Sequence, residues 1–115
     1  MIFMSIPSAM PVGMAEAMAR LWAKFLPDIE QRVAVVEAAA KTAAAGTLSH
    51  AEREAAHAAA HKLAGSLGTF GLQRGTELAR QAELAFAGTA ELNTQEVAAL
   101  AASIAELRIV IDERK

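Results

Sequence analysis

The three histidines of the chain are the residues best suited to chemistry, and they lie close together in the sequence. His57 and His61 follow His50 at distances of seven and eleven residues. On an α-helix, where each residue turns by about 100°, this spacing places both within about 20° of His50 around the axis. A neutral imidazole nitrogen is a good nucleophile near pH 7 and a good metal ligand. The stripe therefore predicts a nucleophile or a metal-binding residue.

The turns that follow His61 carry almost no side chain on the same side of the helix. Ala64, Gly65 and Gly68 are the next positions along the stripe. Glycine inside a helix costs about 1 kcal/mol relative to alanine, so two glycines there lower helix stability. Leu63 lies on another side of the helix and is expected to face the core. We expect an exposed His61 beside an open surface, where a residue larger than Gly65 would block an approaching partner.

The segment HKLAGSLGTFG, residues 61–71, resembles the signature of the histidine-containing phosphotransfer (HPt) domain of two-component phosphorelays. That signature runs histidine, any residue, leucine, lysine, glycine and serine, with a further glycine a few residues on. The residues that match it in type and spacing are His61, Leu63, Gly65, Ser66 and Gly71.

The resemblance implies that His61 accepts a phosphoryl group from an aspartate of a response-regulator receiver domain and passes it to another receiver. The implied partners are such a receiver and a hybrid histidine kinase. In the family, glycine at the place of Gly65 leaves room for the receiver, and Ser66 helps to set the histidine helix. The resemblance also implies a phosphocarrier without kinase activity of its own, which binds no ATP and needs no cofactor or metal ion.

The chain departs from the signature at two positions. Ala64 stands where the family often has lysine, and Leu67 stands where a second serine is common. The first departure removes a positive charge one turn from the phosphoryl group. Lys62 and Arg74 are the candidate replacements, although Lys62 points about 100° away from His61 around the helix axis.

Five helices are predicted from apolar residues at three- and four-residue spacing and from the residues that begin and end helices. Ser49 and Asn93 each precede a glutamate by three residues, as in a capping box. The expected segments run from Gly13 to near Pro27, from Asp28 to Gly46, from Ser49 to about Gly68, from Leu72 to Gly88, and from Asn93 to the C-terminal end. Short connections make neighbouring helices antiparallel. The predicted fold is therefore all-α, with an up-down-up-down four-helix bundle and an additional short N-terminal helix packed over one end.

The composition limits which classes of protein the chain can belong to. The chain has 115 residues, of which 54% are hydrophobic and 4% aromatic, and it contains no cysteine. We expect a flexible lead-in over residues 1–12 and one HPt-like bundle domain over residues 13–115. A net charge of −2 argues against nucleic acid as a partner. The longest apolar runs fall short of the roughly 20 residues that span a bilayer. A signal peptide requires a positive charge near its start, but no Lys or Arg precedes Arg20. We expect a cytoplasmic monomer.

Two other functions stay open from the sequence. The spacing of His57 and His61 suits a transition metal, with Glu54 near the same stripe, but neither cysteine nor an obvious third ligand on another helix accompanies them. The second alternative is a helical interaction module that docks a receiver or another protein without taking phosphate.

Overall fold

The computed structural model describes residues 13–115, and over this range it contains four α-helices and no β-strand. The predicted all-α class is confirmed. The expected lead-in, residues 1–12, lies outside the described residues. The helices are α1 (Met14–Ala44), α2 (His50–Thr69), α3 (Gln73–Ala87) and α4 (Thr94–Arg114).

The predicted break near Pro27 is wrong, because α1 continues through this residue. Proline has no N–H to donate to the carbonyl of Ala23, and inside a helix it costs about 3 kcal/mol. The apolar stripe does not stop at Pro27, however: Trp22, Ile29 and Val33 are all buried on one face of α1. Burial of that continuous stripe outweighs the lost hydrogen bond. The chain therefore has no separate short N-terminal helix over residues 14–27.

Both predicted capping boxes are present. The Ser49 hydroxyl accepts from the backbone N–H of Glu52 at 3.0 Å, and the Glu52 carboxylate accepts from the N–H of Ser49 at 2.8 Å. Asn93 and Glu96 make the same reciprocal pair at 2.8 and 2.9 Å. These bonds satisfy backbone donors that the first turns of α2 and α4 leave free.

Glycines follow the ends of α1 and α2: α1 ends just before Gly46, as predicted, and α2 ends at Thr69, one residue past the predicted end near Gly68. Gly46 and Gly71 both adopt a left-handed conformation with φ of 74°. After Gly71, the N–H of Leu72 donates to the carbonyl of Leu67, and the N–H of Gly71 donates to Gly68. This is the Schellman arrangement, which glycine adopts without the steric cost that a side chain would bring. The chain can therefore reverse directly from α2 into α3. Gly88 follows the last residue of α3, also as predicted.

The four helices enclose one hydrophobic core. Helix α2 packs against both α1 and α3, and α4 packs against both α3 and α1. Within residues 13–115, every fully buried side chain is hydrophobic. The largest are Ile29, Val33, Val36, Leu63, Leu67, Leu78, Leu107 and Ile111. At one end of the core the rings of Trp22 and Phe70 meet edge to face, with centroids 5.2 Å apart.

The contacts between α2 and α3 set the position of the histidine face. Arg53, near the start of α2, reaches Phe86 near the end of α3, whereas Ala64 contacts Thr76 near the start of α3. Residue numbers therefore rise along α2 as they fall along α3, and the middle of α2 lies beside residues near position 83. In the described part of the chain, no helix is long and apolar enough to cross a membrane.

Candidate functional site

His61 lies on the open side of α2. Its side chain is 70% exposed, while Leu63 and Leu67 on the same helix are fully buried. The leucines fix the orientation of α2, because burying each of them contributes roughly 1.5–3 kcal/mol. The predicted outward position of the imidazole is thus a consequence of the apolar residues beside it.

Glu83 of α3 is the hydrogen-bond partner of His61. The Nδ1 atom of His61 lies 2.8 Å from Oε2 of Glu83. An ionised carboxylate can only accept hydrogen bonds, so Nδ1 is the nitrogen that carries the proton. The lone pair of the neutral ring is then on Nε2, which stays available for attack. The contact therefore selects the tautomer that a nucleophilic imidazole needs.

The other two histidines have different surroundings. His57 Nε2 lies 3.9 Å from the same Oε2 atom of Glu83, and its side chain is 41% exposed. His50 instead pairs with Glu54 at 3.3 Å, and both side chains are more than 70% exposed. Over residues 13–115, no group of three or more histidines and carboxylates is arranged to hold a metal ion. Glu54, which the sequence places near the same stripe, contacts His50 and does not join the His57 and His61 pair.

The surface one turn beyond His61 is open at Gly65. A Cβ atom built at Gly65 would meet nothing within 4 Å, so neither internal packing nor a left-handed backbone requires glycine there. Gly68 is closer to α3, since its Cβ would lie 3.4 Å from the hydroxyl of Thr76. The absence of a side chain at Gly65 therefore leaves space on the outside of the protein.

The expectation that Ala64 shares this open surface is wrong. Ala64 is only 2% exposed, and its carbonyl accepts a hydrogen bond from the Thr76 hydroxyl at 3.1 Å. The start of α3 covers this edge of α2, which rotation angles along a single helix do not reveal. A longer side chain at position 64 would have to leave along the α2–α3 boundary.

The remaining predicted site residues are dispersed. Lys62 is exposed. Ser66 is half-buried toward α1, where its hydroxyl accepts from Nη1 of Arg32 at 3.5 Å. The structure thus brings Gly65 next to His61 along α2 and turns Ser66 toward α1.

Arg74 is held by carboxylates of α3 and α4. Its guanidinium donates to both oxygens of Glu106, at 2.7 and 2.9 Å, and to Glu77 at 3.0 Å. The hydrogen bond from Arg74 lowers the pKa of Glu106, and the bonds to Glu106 and Glu77 raise the pKa of Arg74. Its charge is therefore already balanced within the protein.

Sequence reasoning missed Glu83, whose carboxylate the structure places 2.8 Å from Nδ1 of His61. The available signal was its place in α3, next to the buried residues Ala79 and Ala82, which puts a carboxylate at the edge of an apolar face. The helix that this edge would contact cannot be read from α3 alone.

Arg53 fixes the end of α3 beside the histidines. Its guanidinium donates to the carbonyls of Phe86, Ala90 and Ala85, at 3.2, 2.7 and 3.3 Å. A cation is favourable where the last carbonyls of a helix carry partial negative charge. Arg53 thus binds the chain's own α3 and helps to keep Glu83 near α2.

Comparison with known proteins adds one finding. The family model described as the Hpt domain matches residues 20–110, which is more than three quarters of the chain. No curated protein and no solved structure matched the chain.

Proposed function

The chain belongs to the Hpt domain family, and from that premise we propose that it is a phosphorelay intermediate with His61 as the phosphoacceptor. The observation that supports this assignment most directly is the exposed imidazole whose Nδ1 is bonded to Glu83. The proposed donors and acceptors are receiver domains, with a hybrid histidine kinase upstream.

The transfer uses the lone pair on Nε2 of His61. This nitrogen attacks the phosphorus of an aspartyl phosphate on the receiver, an N–P bond forms, and the P–O bond breaks to return the aspartate carboxylate. The ring keeps its proton on Nδ1 and gains positive charge as the N–P bond forms. Glu83, at 2.8 Å from Nδ1, stabilises that charge. The reverse transfer to another receiver follows the same path.

Gly65 and the nearby polar residues have separate proposed roles. Gly65 admits the receiver to within bonding distance of His61, and Ser66, with Arg32, holds α2 against α1. Lys62 and Arg74 stay the candidate cations for the phosphoryl group. Lys62 is the better candidate, because it is exposed at the end of a long flexible side chain, whereas Arg74 already bonds to Glu106 and Glu77.

The proposal extends to the organisation of the protein. We assign residues 13–115 to one domain with up-down-up-down helices, supported by the opposite residue order of the α2–α3 contacts. We also propose that the protein is a monomer, and that it is cytoplasmic because a chain without cysteine needs no oxidising compartment.

The test is transfer from a receiver domain that carries radiolabelled phosphate. Wild-type protein is expected to take up an acid-labile, base-stable label, and His61→Gln is expected to take up none. His50→Gln is the matched control, because it removes a histidine of the same helix that contacts Glu54 rather than Glu83. It should be labelled like the wild type.

Two results would contradict the assignment. One is a label that persists in His61→Gln. The other is a receiver that binds the wild type without transferring phosphate, which would identify an interaction module. Circular dichroism of each variant checks that the helices are intact.

A further inference from the structure

The carboxylate of Glu83 lies between two imidazoles of α2. Its Oε2 atom is 2.8 Å from Nδ1 of His61 and 3.9 Å from Nε2 of His57. The first distance is a hydrogen bond, and the second is too long for one. The Glu83 side chain is only 20% exposed, so both contacts lie in a partly shielded environment. His57 is therefore the second neighbour of the atom that orients His61.

The spacing along α2 accounts for this arrangement. Residues four apart on a helix are neighbours on one face, so a side chain that enters from α3 can touch both. The other charged or titratable groups near His57 are on α2, namely His50, Arg53 and Glu54. Arg53 is bonded to the end of α3, and His50 pairs with Glu54. In the described part of the chain, Glu83 is the carboxylate that α3 places beside His57.

We propose that His57 is a positioning residue for phosphotransfer, which acts on His61 by holding the Glu83 carboxylate in place. This inference rests on the proposed function of His61. A glutamate side chain has several rotatable bonds, and fixing it costs conformational entropy. The His57 ring, with Nε2 3.9 Å from Oε2, takes up space on its side of the carboxylate. It thereby restricts the carboxylate to conformations in which it accepts from Nδ1.

Removal of His57 leaves that side of the carboxylate open to water. Glu83 then spends part of its time turned away from His61, and the two neutral tautomers of His61 mix. Only the tautomer with the proton on Nδ1 offers Nε2 as the nucleophile. The loss therefore falls on the rate of transfer within the complex and not on the affinity of the receiver.

The first test compares three variants in the receiver transfer assay. His57→Ala is expected to lower the maximal transfer rate about fivefold without changing the receiver concentration at half-maximal rate. His57→Gln is expected to keep most of the rate, because its planar amide fills much of the space that the imidazole takes up beside the carboxylate. His50→Ala should match the wild type. An unchanged rate in His57→Ala would overturn the proposal, as would an equal loss in His57→Gln.

The second test needs no phosphate and so separates this proposal from the function on which it rests. Nitrogen chemical shifts from ¹⁵N NMR report which ring nitrogen of His61 carries the proton. Wild-type protein should show the proton on Nδ1, and His57→Ala should show a mixture of both tautomers. If the two spectra show the same tautomer, His57 does not position Glu83, whether or not His61 accepts phosphate.

A double-mutant cycle tests the route through Glu83. In a Glu83→Ala background, His57→Ala is expected to have no further effect on the transfer rate, because the group it positions is gone. A fivefold loss in both backgrounds would show that His57 acts on the reaction by another route and would overturn the proposal. Thermal unfolding of all variants checks for loss of fold.

Discussion

The α1–α4 interface and the α2–α3 interface both carry charged side chains, but they arrange them differently. Between α1 and α4, Arg108 donates to Glu30 at 2.6 Å and to both oxygens of Glu37 at 3.2 Å. Lys115 adds a second cation, 2.6 Å from the other oxygen of Glu30. Between α2 and α3, one exposed imidazole shares a single carboxylate with a more distant second imidazole.

The charges at the α1–α4 interface are suited to stabilising the fold, whereas those at the α2–α3 interface are suited to leaving one nitrogen of His61 free to react. At the α1–α4 interface, hydrogen bonds from Lys115 and Arg108 lower the pKa of Glu30, and those to Glu37 and Glu30 raise the pKa of Arg108. These groups are held in their charged forms by one another. At the α2–α3 interface, the hydrogen bond to Glu83 uses only one nitrogen of His61 and leaves the other for chemistry. Substitutions on the two sides should therefore affect different measurements.

The largest expected effect is on the α2–α3 side and concerns the access of the receiver domain to His61. Gly65→Leu is expected to lower transfer from a phosphorylated receiver by roughly 100-fold, equivalent to about 2.7 kcal/mol of barrier. The leucine side chain would project into the open space beside His61. Helix content by circular dichroism should be unchanged.

Gly65→Ala is the control for this substitution. It should raise the free energy of unfolding by about 0.5–1 kcal/mol, because alanine favours helix and a Cβ at this position meets no atom within 4 Å. A fully active Gly65→Leu protein would show that Gly65 has no role in access. A destabilised Gly65→Ala protein would show that the fold itself requires glycine there.

A smaller effect is expected on the α1–α4 side. Arg108→Met should lower the free energy of unfolding by about 1–2 kcal/mol, because it leaves Glu30 and Glu37 without their shared donor at a partly exposed site. Urea titration measures this change, and Arg20→Met, at an exposed position of α1, serves as the control. The transfer rate should stay at the wild-type value. A loss of transfer in folded Arg108→Met would show that the α1–α4 interface also affects the reaction.

The smallest effect is the acid dependence of the same network. The pKa of Glu30 lies below its ordinary value of 4.5, so its pairing stabilises the fold fully above that pH and less as pH falls through the lowered pKa. Between pH 7 and pH 3, wild-type protein should therefore lose more unfolding free energy than Glu30→Gln. The expected difference is below about 1 kcal/mol, since the carboxylate is partly exposed. Equal losses in both proteins would assign the acid sensitivity to other carboxylates.

The sequence predicted those features that depend on neighbouring residues. The capping boxes at Ser49 and Asn93 and the helix ends at Gly46 and Gly88 follow from local hydrogen bonding and local backbone preferences. The outward position of His61 follows from the helical period of the leucines beside it. Each of these predictions needed only one helix.

The features that were wrong or missed depend on packing between helices. The cost of Pro27 is local, but the burial of Trp22 and Ile29 that outweighs it comes from the other helices. Ala64 is covered because α3 begins close to α2, and Glu83 meets His61 because the two helices run in opposite directions. No spacing rule within one helix contains that information.

The position of Glu83 on a different helix from His61 has a thermodynamic consequence. The hydrogen bond between them is part of the contact of α3 with α2, and it also sets the tautomer of His61. By linkage, any phosphoryl group on His61 that strengthens this bond must stabilise the contact of α3 with α2 by the same free energy, and any ligand that loosens α3 must weaken the bond equally. The proposed phosphoacceptor is therefore coupled to any change in how α3 packs against α2.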